Sequence, residues 1–569
     1  MSMNDYILSM NRKPPLFYAV CINILFLLLY FAFGQIRFES LDDYFMSSIL
    51  TGAYGTEYDV HLYFVNSAYG YFLKPFYWLF PKVGWYFIFE LLGTFAAFTS
   101  ISYCLIRQIE LKWGTVLSVL LLASLTPDFY FQLSFTQCST LYTAAGLVTL
   151  TLGILEKGKR LLFIGGAFLV AGSVMRYSGF LLGIPYLVLL LLVPCRLRNL
   201  ITKETLATLC LITVAIYGLH MYDRGLYTDG DYKYYAEYQP IRAYFGDGAF
   251  YDRESTFDEL EERGMSGLDF NLLKAWMFYD TEVFQKDSLL LIKDVLQNNL
   301  YEVNMKRMPV AFFLAMSNAL TRTSGWCWAA LCFLLMLSKS KKNAVYPWAS
   351  LGIVAVSISY LLLLNRLVYR VESGIWLYAI VCAIPLLDGS VFYTKPFAPK
   401  WNRLLACGIA FGAFLFAVVG ITNQHSFKTN VSIADKKNES ENWGDFCHYA
   451  EKNKGTVFLL STDRYKEMGE FRNPPYIAVV PGAFDNIVPW GYWNIHLPTM
   501  KKELAKRGIE NPIHDIVHDN VFFLGDDDAL SLEKFYEEHY HQILHVDTVK
   551  RFGDMMLLKY RISDSMGMD

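Results

Sequence analysis

Residues 15–34 read PLFYAVCINILFLLLYFAFG, and residues 35–44, which follow, read QIRFESLDDY. The first stretch carries no charge and has about the 20 residues that a helix needs to cross a hydrocarbon layer roughly 30 Å thick. It lacks a small-residue cleavage site, so it reads as a retained spanning helix and not a removed signal peptide. The second stretch turns abruptly polar and places Glu39, Asp42 and Asp43 a few residues beyond the helix end, at the depth where lipid headgroups meet water. A membrane protein with acids at its interface is the reading these 30 residues open.

The rest of the chain extends it. Hydrophobic residues make up 54% of 569, more than a soluble core of this length needs. Spans are predicted at 15–34, 83–106, 113–130, 138–155, 161–175, 177–194, 205–222, 325–338, 344–364, 373–389 and 404–421, about eleven in all. Alternate connections are basic: Arg12 and Lys13, then Arg107 and Lys112, then Lys157, Lys159 and Arg160. The series continues with Arg196, Arg198 and Lys203, then Lys339, Lys341 and Lys342, then Lys395, Lys400 and Arg403. The positive-inside rule then puts the N-terminus in the cytoplasm and the C-terminal tail outside.

The net charge of −3 gives no basic surface for nucleic acid. Of the ten cysteines only Cys447 falls in the tail, so neither a disulfide framework nor a Cys-x-x-Cys metal site can form there. The expected architecture is an α-helical polytopic membrane protein with a small C-terminal extracytoplasmic α/β domain. Residues 1–422 form the membrane domain, with outer loops 35–82 and 223–323. Residues 423–442 read as a polar linker and 443–569 as the tail domain. Within the outer loops, 59–80 reads as one or two interfacial helices, 288–304 as an amphipathic helix, and 309–320 as a re-entrant apolar piece.

Chemistry is expected on the outer face. Asp42 and Asp43 are neighbouring carboxylates; repulsion raises the pKa of one, and either can take a proton from a hydroxyl. The bland alternative is a helix N-cap at Ser40 or Asp42. The same face offers Glu57, Asp59, Asp128, Arg176, Asp223 with Arg224, and Arg366 with Arg370 and Glu372. Ionisable groups at membrane depth are costly and are usually functional. Arg366 and Arg370, four apart, would aim both guanidinium groups one way if they shared a helical turn, which suits a phosphate; snorkelling arginines or an Arg370–Glu372 surface pair is the alternative. Arg176 interrupts an apolar stretch and is expected to face a polar cavity. Glu57 and Asp59, with the tyrosine-rich loop carrying Tyr235 and Arg242, are candidate sugar or acceptor contacts, and Trp490 to His496 is a candidate glycan groove. His514 and His518 lack a third ligand and read as a solvated helix face.

This plan resembles the GT-C superfamily of multi-spanning glycosyltransferases, which take a sugar from a polyprenyl phosphate carrier. The resemblance covers nearly the whole chain: first helix, acidic first outer loop, many-helix core and trailing α/β domain. It implies that Asp43 or Asp42 is the catalytic base and that Arg176, Arg366 or Arg370 binds the donor phosphate. The implied partners are a polyprenyl-phosphate-linked sugar, a glycan or lipid acceptor and the bilayer. No cofactor is expected. A divalent metal on Glu57, Asp59 and Asp42 or Asp43 is possible but not favoured. A transporter or flippase of an isoprenoid-linked sugar, and an envelope-assembly scaffold, are the competing readings.

Overall fold

Apolar runs fold as helices along most of the chain, because a backbone surrounded by lipid must bond its polar groups internally. The computed structural model describes residues 14–563 apart from 34–35, 132, 196–201, 247–257, 322, 338–342, 365, 388–407, 409–410, 412–432, 471–473 and 526–528. Its first helices are α1 (Pro15–Phe33), α2 (Leu41–Leu50), α3 (Ser67–Leu79), α4 (Trp85–Ile109), α5 (Leu111–Phe129), α6 (Phe135–Glu156) and α7 (Lys159–Met175). Then come α8 (Tyr177–Leu181), α9 (Ile184–Leu192), α10 (Lys203–Gly225), α11 (Gly230–Gly246), α12 (Gly267–Lys274), α13 (Lys286–Thr321), α14 (Thr323–Leu337), α15 (Val345–Leu363) and α16 (Tyr369–Val381). By length and composition α1, α4, α6, α10 and α15 can each cross a membrane. The predicted span at 404–421 lies outside the described residues, apart from isolated positions.

Helix α6 is the axis of the bundle, buried from Phe135 to Ile154. Small residues let its neighbours approach: a Cβ on Gly165 of α7 would lie 2.5 Å from the Leu150 nitrogen of α6. The outer helices keep apolar faces uncovered, with Leu28 and Phe31 on α1, Leu211 and Val214 on α10, and Trp348 and Val356 on α15 exposed. Lipid is the solvent such faces require, and the chain is a membrane protein.

Four expectations are corrected. The re-entrant piece at 309–320 is absent, since α13 runs unbroken for 36 residues through Pro309. Proline removes one backbone bond but does not by itself end a helix held by neighbours. The expected span at 177–194 is split into α8 and α9, with Gly183 preceding Pro185 at the start of the second piece, where proline's missing N–H costs nothing. The tyrosine-rich loop is helix α11. The linker's described part is helical too, because residues 433–442 open α17 (Ile433–Lys452).

After α17 the chain alternates: β1 (Val457–Leu460), α18 (Thr462–Glu470), β2 (Ile487–Pro489), α19 (Pro498–Ala505), β3 (Val521–Gly525), α20 (Ala529–Tyr540), β4 (Leu544–Phe552) and β5 (Met555–Ile562). The sheet order is β2-β1-β3-β5-β4. Strand β1 runs parallel to both neighbours, with Phe458 opposite Ile487 and Phe522, and is wholly buried, as its run of Val, Phe and Leu requires. Strand β5 pairs antiparallel with β3 and β4. The sheet domain is stitched to the helical domain by backbone hydrogen bonds: Gly482 N–H to Gly52 O at 2.8 Å, Phe484 N–H to Ala53 O at 2.7 Å, and Gly84 N–H to Tyr476 O at 2.8 Å. Two more run from Phe278 and Tyr279 N–H to Trp490 O.

Candidate functional site

The short helix α2 begins with Ser40 as N-cap, whose hydroxyl accepts the Asp42 N–H at 3.2 Å. The capping alternative is thus what the local backbone adopts, and it does not compete with a functional role. The cap fixes Asp42 and Asp43 in the first turn, one residue apart and therefore pointing to different sides.

Asp42 faces the junction between the two domains. Ser40 Oγ donates to its Oδ2 at 2.9 Å, Arg370 Nη2 lies 3.2 Å from the same oxygen, and Tyr492 of the sheet domain donates its hydroxyl to Oδ1 at 2.9 Å. Arg370 Nη1 also donates to Ser40 Oγ at 2.8 Å. The alternative of an Arg370–Glu372 surface pair is not what forms: Arg370 pairs with Asp42, and Glu372 is buried in α16.

Asp43 turns inward and is fully buried. Its Oδ1 accepts the Tyr86 hydroxyl at 3.0 Å and the Phe135 N–H at 3.1 Å. Burial, and next the charge of Asp42, push its carboxyl well above the usual carboxylate range. Glu39, half-buried beside it, is raised chiefly by burial as well. Of the pair, Asp42 alone keeps part of its carboxylate open to the junction, while Asp43 is sealed from solvent.

The arginines gather here. Arg176 breaks the helix between α7 and α8 with an extended backbone, φ −162°. Its guanidinium lies 5.1 Å from the Phe135 ring, bonds Thr136 Oγ1, and has Arg370, Arg366, Asp42 and Asp43 as its charged neighbours. Arg366 and Arg370 do not share a helical turn, contrary to expectation: α16 starts at Tyr369 with Val368 as its cap, and Arg366 lies before it. The chain brings three cations to one site by a different route, with the break at Arg176 and the start of α16 side by side.

Other candidates lie elsewhere. Glu57 is exposed on its loop. Asp59 is engaged by the His61 ring at 2.7 Å and the Tyr232 hydroxyl at 2.9 Å. Among the described residues these two do not converge with Asp42 or Asp43 into a ligand set. Tyr235 is wholly buried and packs edge-on against Tyr63, so it offers no surface to a sugar ring. Arg242 is buried too, bonding Gln239 Oε1 at 2.8 Å and lying 4.8 Å over Trp276, which stacks on Tyr492. Asp223 braces the start of α3 by accepting the Ser67 N–H and hydroxyl. Asp128 accepts the Tyr369 hydroxyl. Trp490 to His496 is buried packing between the domains, not an open groove.

Sequence reasoning missed Tyr492 as a partner of Asp42, since nothing local links residues 450 apart. It missed Thr136, and it missed Glu90, although a lone acid in the apolar run WYFIFELLGTF at 85–95 was a visible signal. It also missed Asp269, Glu538 and His539, whose ligand atoms lie within 4.8 Å of one another. Each of the three already has a partner: His539 Nε2 lies 2.6 Å from Asp269, and Ser266 Oγ donates to Glu538 at 2.7 Å.

The sequence matches no family model and no curated protein. Among solved structures the chain is similar to the oligosaccharyltransferase of Archaeoglobus fulgidus in its apo form, at 11% identity and a TM-score of 0.44, over 92% of this chain and 71% of that one. It is similar to AglB from the same organism in complex with an inhibitory peptide and a dolichol-phosphate, at 12% identity and a TM-score of 0.44, over 97% of this chain and 74% of that one. Similarity to ArnT from Cupriavidus metallidurans bound to undecaprenyl phosphate spans 97% of this chain and 99% of that one, at 11% identity and a TM-score of 0.38.

Proposed function

We propose that this chain is a membrane glycosyltransferase that moves a sugar from a polyprenyl-phosphate carrier to a glycan, glycolipid or teichoic-acid-type acceptor of the cell envelope, on the outer face. The observation that carries the reading is one carboxylate, Asp42, held by Arg370 with Arg176 and Arg366 as neighbouring cations at a junction of helix ends. An acceptor hydroxyl gives its proton to Asp42, and its oxygen attacks the anomeric carbon. The bond from that carbon to the phosphate oxygen breaks on the opposite side, its electron pair leaving with the lipid phosphate, so the configuration inverts. The phosphate gains charge as it leaves, and fixed guanidinium groups stabilise that charge without a metal.

In the resting site Arg370 neutralises Asp42. A donor phosphate competes for the guanidinium and frees the carboxylate to act as base, which couples donor binding to activation. An apolar groove of about 380 Å³, lined by Leu117, Leu120 and Leu121 of α5 and Trp326, Leu331 and Leu334 of α14, suits an isoprenoid chain. Asp128, in the last turn of α5, accepts the hydroxyl of Tyr369, the neighbour of Arg370, so the α5 wall of the groove runs to the helix end beside that arginine. The basic connections favour a cytoplasmic N-terminus and an extracytoplasmic sheet domain.

The test compares envelope glycans, by mass spectrometry of composition and linkage, in cells carrying wild type, a deletion, Asp42→Asn or Asp43→Asn at matched membrane expression. Loss of one substituent in both the deletion and Asp42→Asn, with accumulation of its polyprenyl-linked donor, supports transfer. Retention of that substituent by Asp42→Asn moves transport of the lipid-linked sugar, or scaffolding, to first place.

A further inference from the structure

Glu90 takes no part in the chemistry proposed for Asp42. It sits in the second turn of α4, 1% exposed, and its carboxyl lies within hydrogen-bonding reach of the fully buried Asp43. Asp43 Oδ1 is occupied by the Tyr86 hydroxyl and the Phe135 N–H. Asp43 Oδ2 and both carboxyl oxygens of Glu90 are buried and, among the described residues, meet no N–H or O–H donor. The titratable and charged groups around the pair are Asp42 on α2, Tyr69 on α3, Tyr86 on α4, Cys138 and Tyr142 on α6, Arg176 between α7 and α8, and Arg370 on α16. None of them donates to the three open oxygens; the Tyr142 hydroxyl is engaged by the Glu90 backbone carbonyl at 2.9 Å.

Two ionised carboxylates offer only acceptors, so no hydrogen bond can join them, and adjacent like charges away from water repel strongly. One proton removes both difficulties. We propose that Asp43 and Glu90 share a single proton in an O–H···O bond, and that Glu90 is thereby a positioning residue which fixes the helix carrying Asp42. Through Asp43, the first turn of α2 is tied to the first N–H of α6 by Oδ1 and to α4 by the shared proton. The direction in which Asp42 points is set by that anchor. Only this last consequence rests on the transferase reading; the shared proton does not.

The test uses full-length protein in detergent as wild type, Glu90→Gln and Glu90→Leu. A carboxyl that keeps its proton in the folded chain and loses it in the unfolded one makes stability fall as pH rises from the ordinary carboxylate range to the pH at which the pair ionises. Wild type is therefore expected to lose Tm steadily from mildly acidic to alkaline pH and to show a carboxylic-acid carbonyl band in its infrared spectrum. In Glu90→Gln the amide is a permanent donor to an ionised Asp43, so that slope weakens by one proton and the band is lost, while glycan transfer in cells is kept. Glu90→Leu lowers Tm at every pH and reduces transfer. The proposal is overturned if Glu90→Gln keeps the wild-type slope and band, or if Glu90→Leu equals wild type in Tm. Should transfer be missing from every variant and from wild type, the glycosyltransferase reading fails, and the slopes and the infrared band still decide the pair.

Discussion

Asp42 and Asp43 are the same residue type side by side, yet their surroundings divide them. Asp42 keeps 13% of its side chain exposed and bonds groups that can exchange with a ligand, whereas Asp43 is sealed against α4 and α6. Asp42→Asn is expected to cut transfer by about 10²–10⁴-fold, the usual contribution of a general base, with unchanged Tm. Asp43→Asn is expected to act on stability, read as a lower Tm with part of the activity kept. If Arg370 stabilises the leaving phosphate as proposed, Arg370→Ala is expected to cost about 10²–10³-fold in turnover, and Lys at that position restores only part because it lacks the planar fork. Tyr492→Phe deletes one bond to a charged acceptor, an effect of about 1.5–3 kcal/mol or roughly tenfold or more in rate, measured in the same assay.

At the scale of elements, the site is made by ends and breaks. Helix α2 begins, α16 begins, and α7 gives way to α8 at Arg176, so polar side chains gather where the helical ladder stops. Phe45 connects α2 to the sheet domain, stacking on Tyr465 at 4.5 Å and meeting Tyr492 edge-on at 4.8 Å. Phe45→Ala is expected to cost about 3–5 kcal/mol, seen in thermal unfolding, and to reduce transfer by loosening Tyr492. A second tie joins α12 to α20. Burial alone would lower the His539 imidazole, but the Asp269 carboxylate at 2.6 Å outweighs it and raises the pKa. A raised histidine pKa contributes stability that is complete below the unfolded value and is lost as pH rises through the folded one. Protection factors for hydrogen exchange in 267–274 and 529–540, taken relative to the base-catalysed rate of the unfolded chain, are therefore expected to fall on going from neutral to alkaline pH, and a His539→Gln variant is expected to lose that fall.

At the scale of the molecule, the sheet domain completes the site. Tyr492 reaches Asp42 because the chain from β2 runs hard against the loop at Trp276. Trp276 itself has a left-handed backbone, φ 65°, and a Cβ on Gly491 would lie 1.3 Å from its carbonyl oxygen. Gly491→Ala is expected to prise this junction apart, lowering transfer while far-ultraviolet circular dichroism stays near wild type, because the defect is in docking and not in either domain. The same junction explains what the sequence concealed. Trp490 to His496 has the composition of a glycan groove, and Tyr235 and Arg242 that of a binding loop, but all are buried in packing.

The sequence by itself determined the membrane class, the positions of most helices, the alternating strands and helices of the tail, and Asp42, Asp43, Arg176, Arg366 and Arg370 as candidates. Those signals are local: runs of apolar residues report their own solvent, and a charge within or beside such a run is costly enough to stand out. Only the tertiary structure decided which aspartate faces the junction, that Arg370 pairs with Asp42 and not Glu372, and that Glu57, Asp59, Tyr235 and Arg242 lie apart from that pair. It also decided that Tyr492 meets Asp42 and that Glu90 meets Asp43. Burial and hydrogen bonding are properties of what other segments bring, and residues 450 positions apart carry no mark of each other until the chain folds.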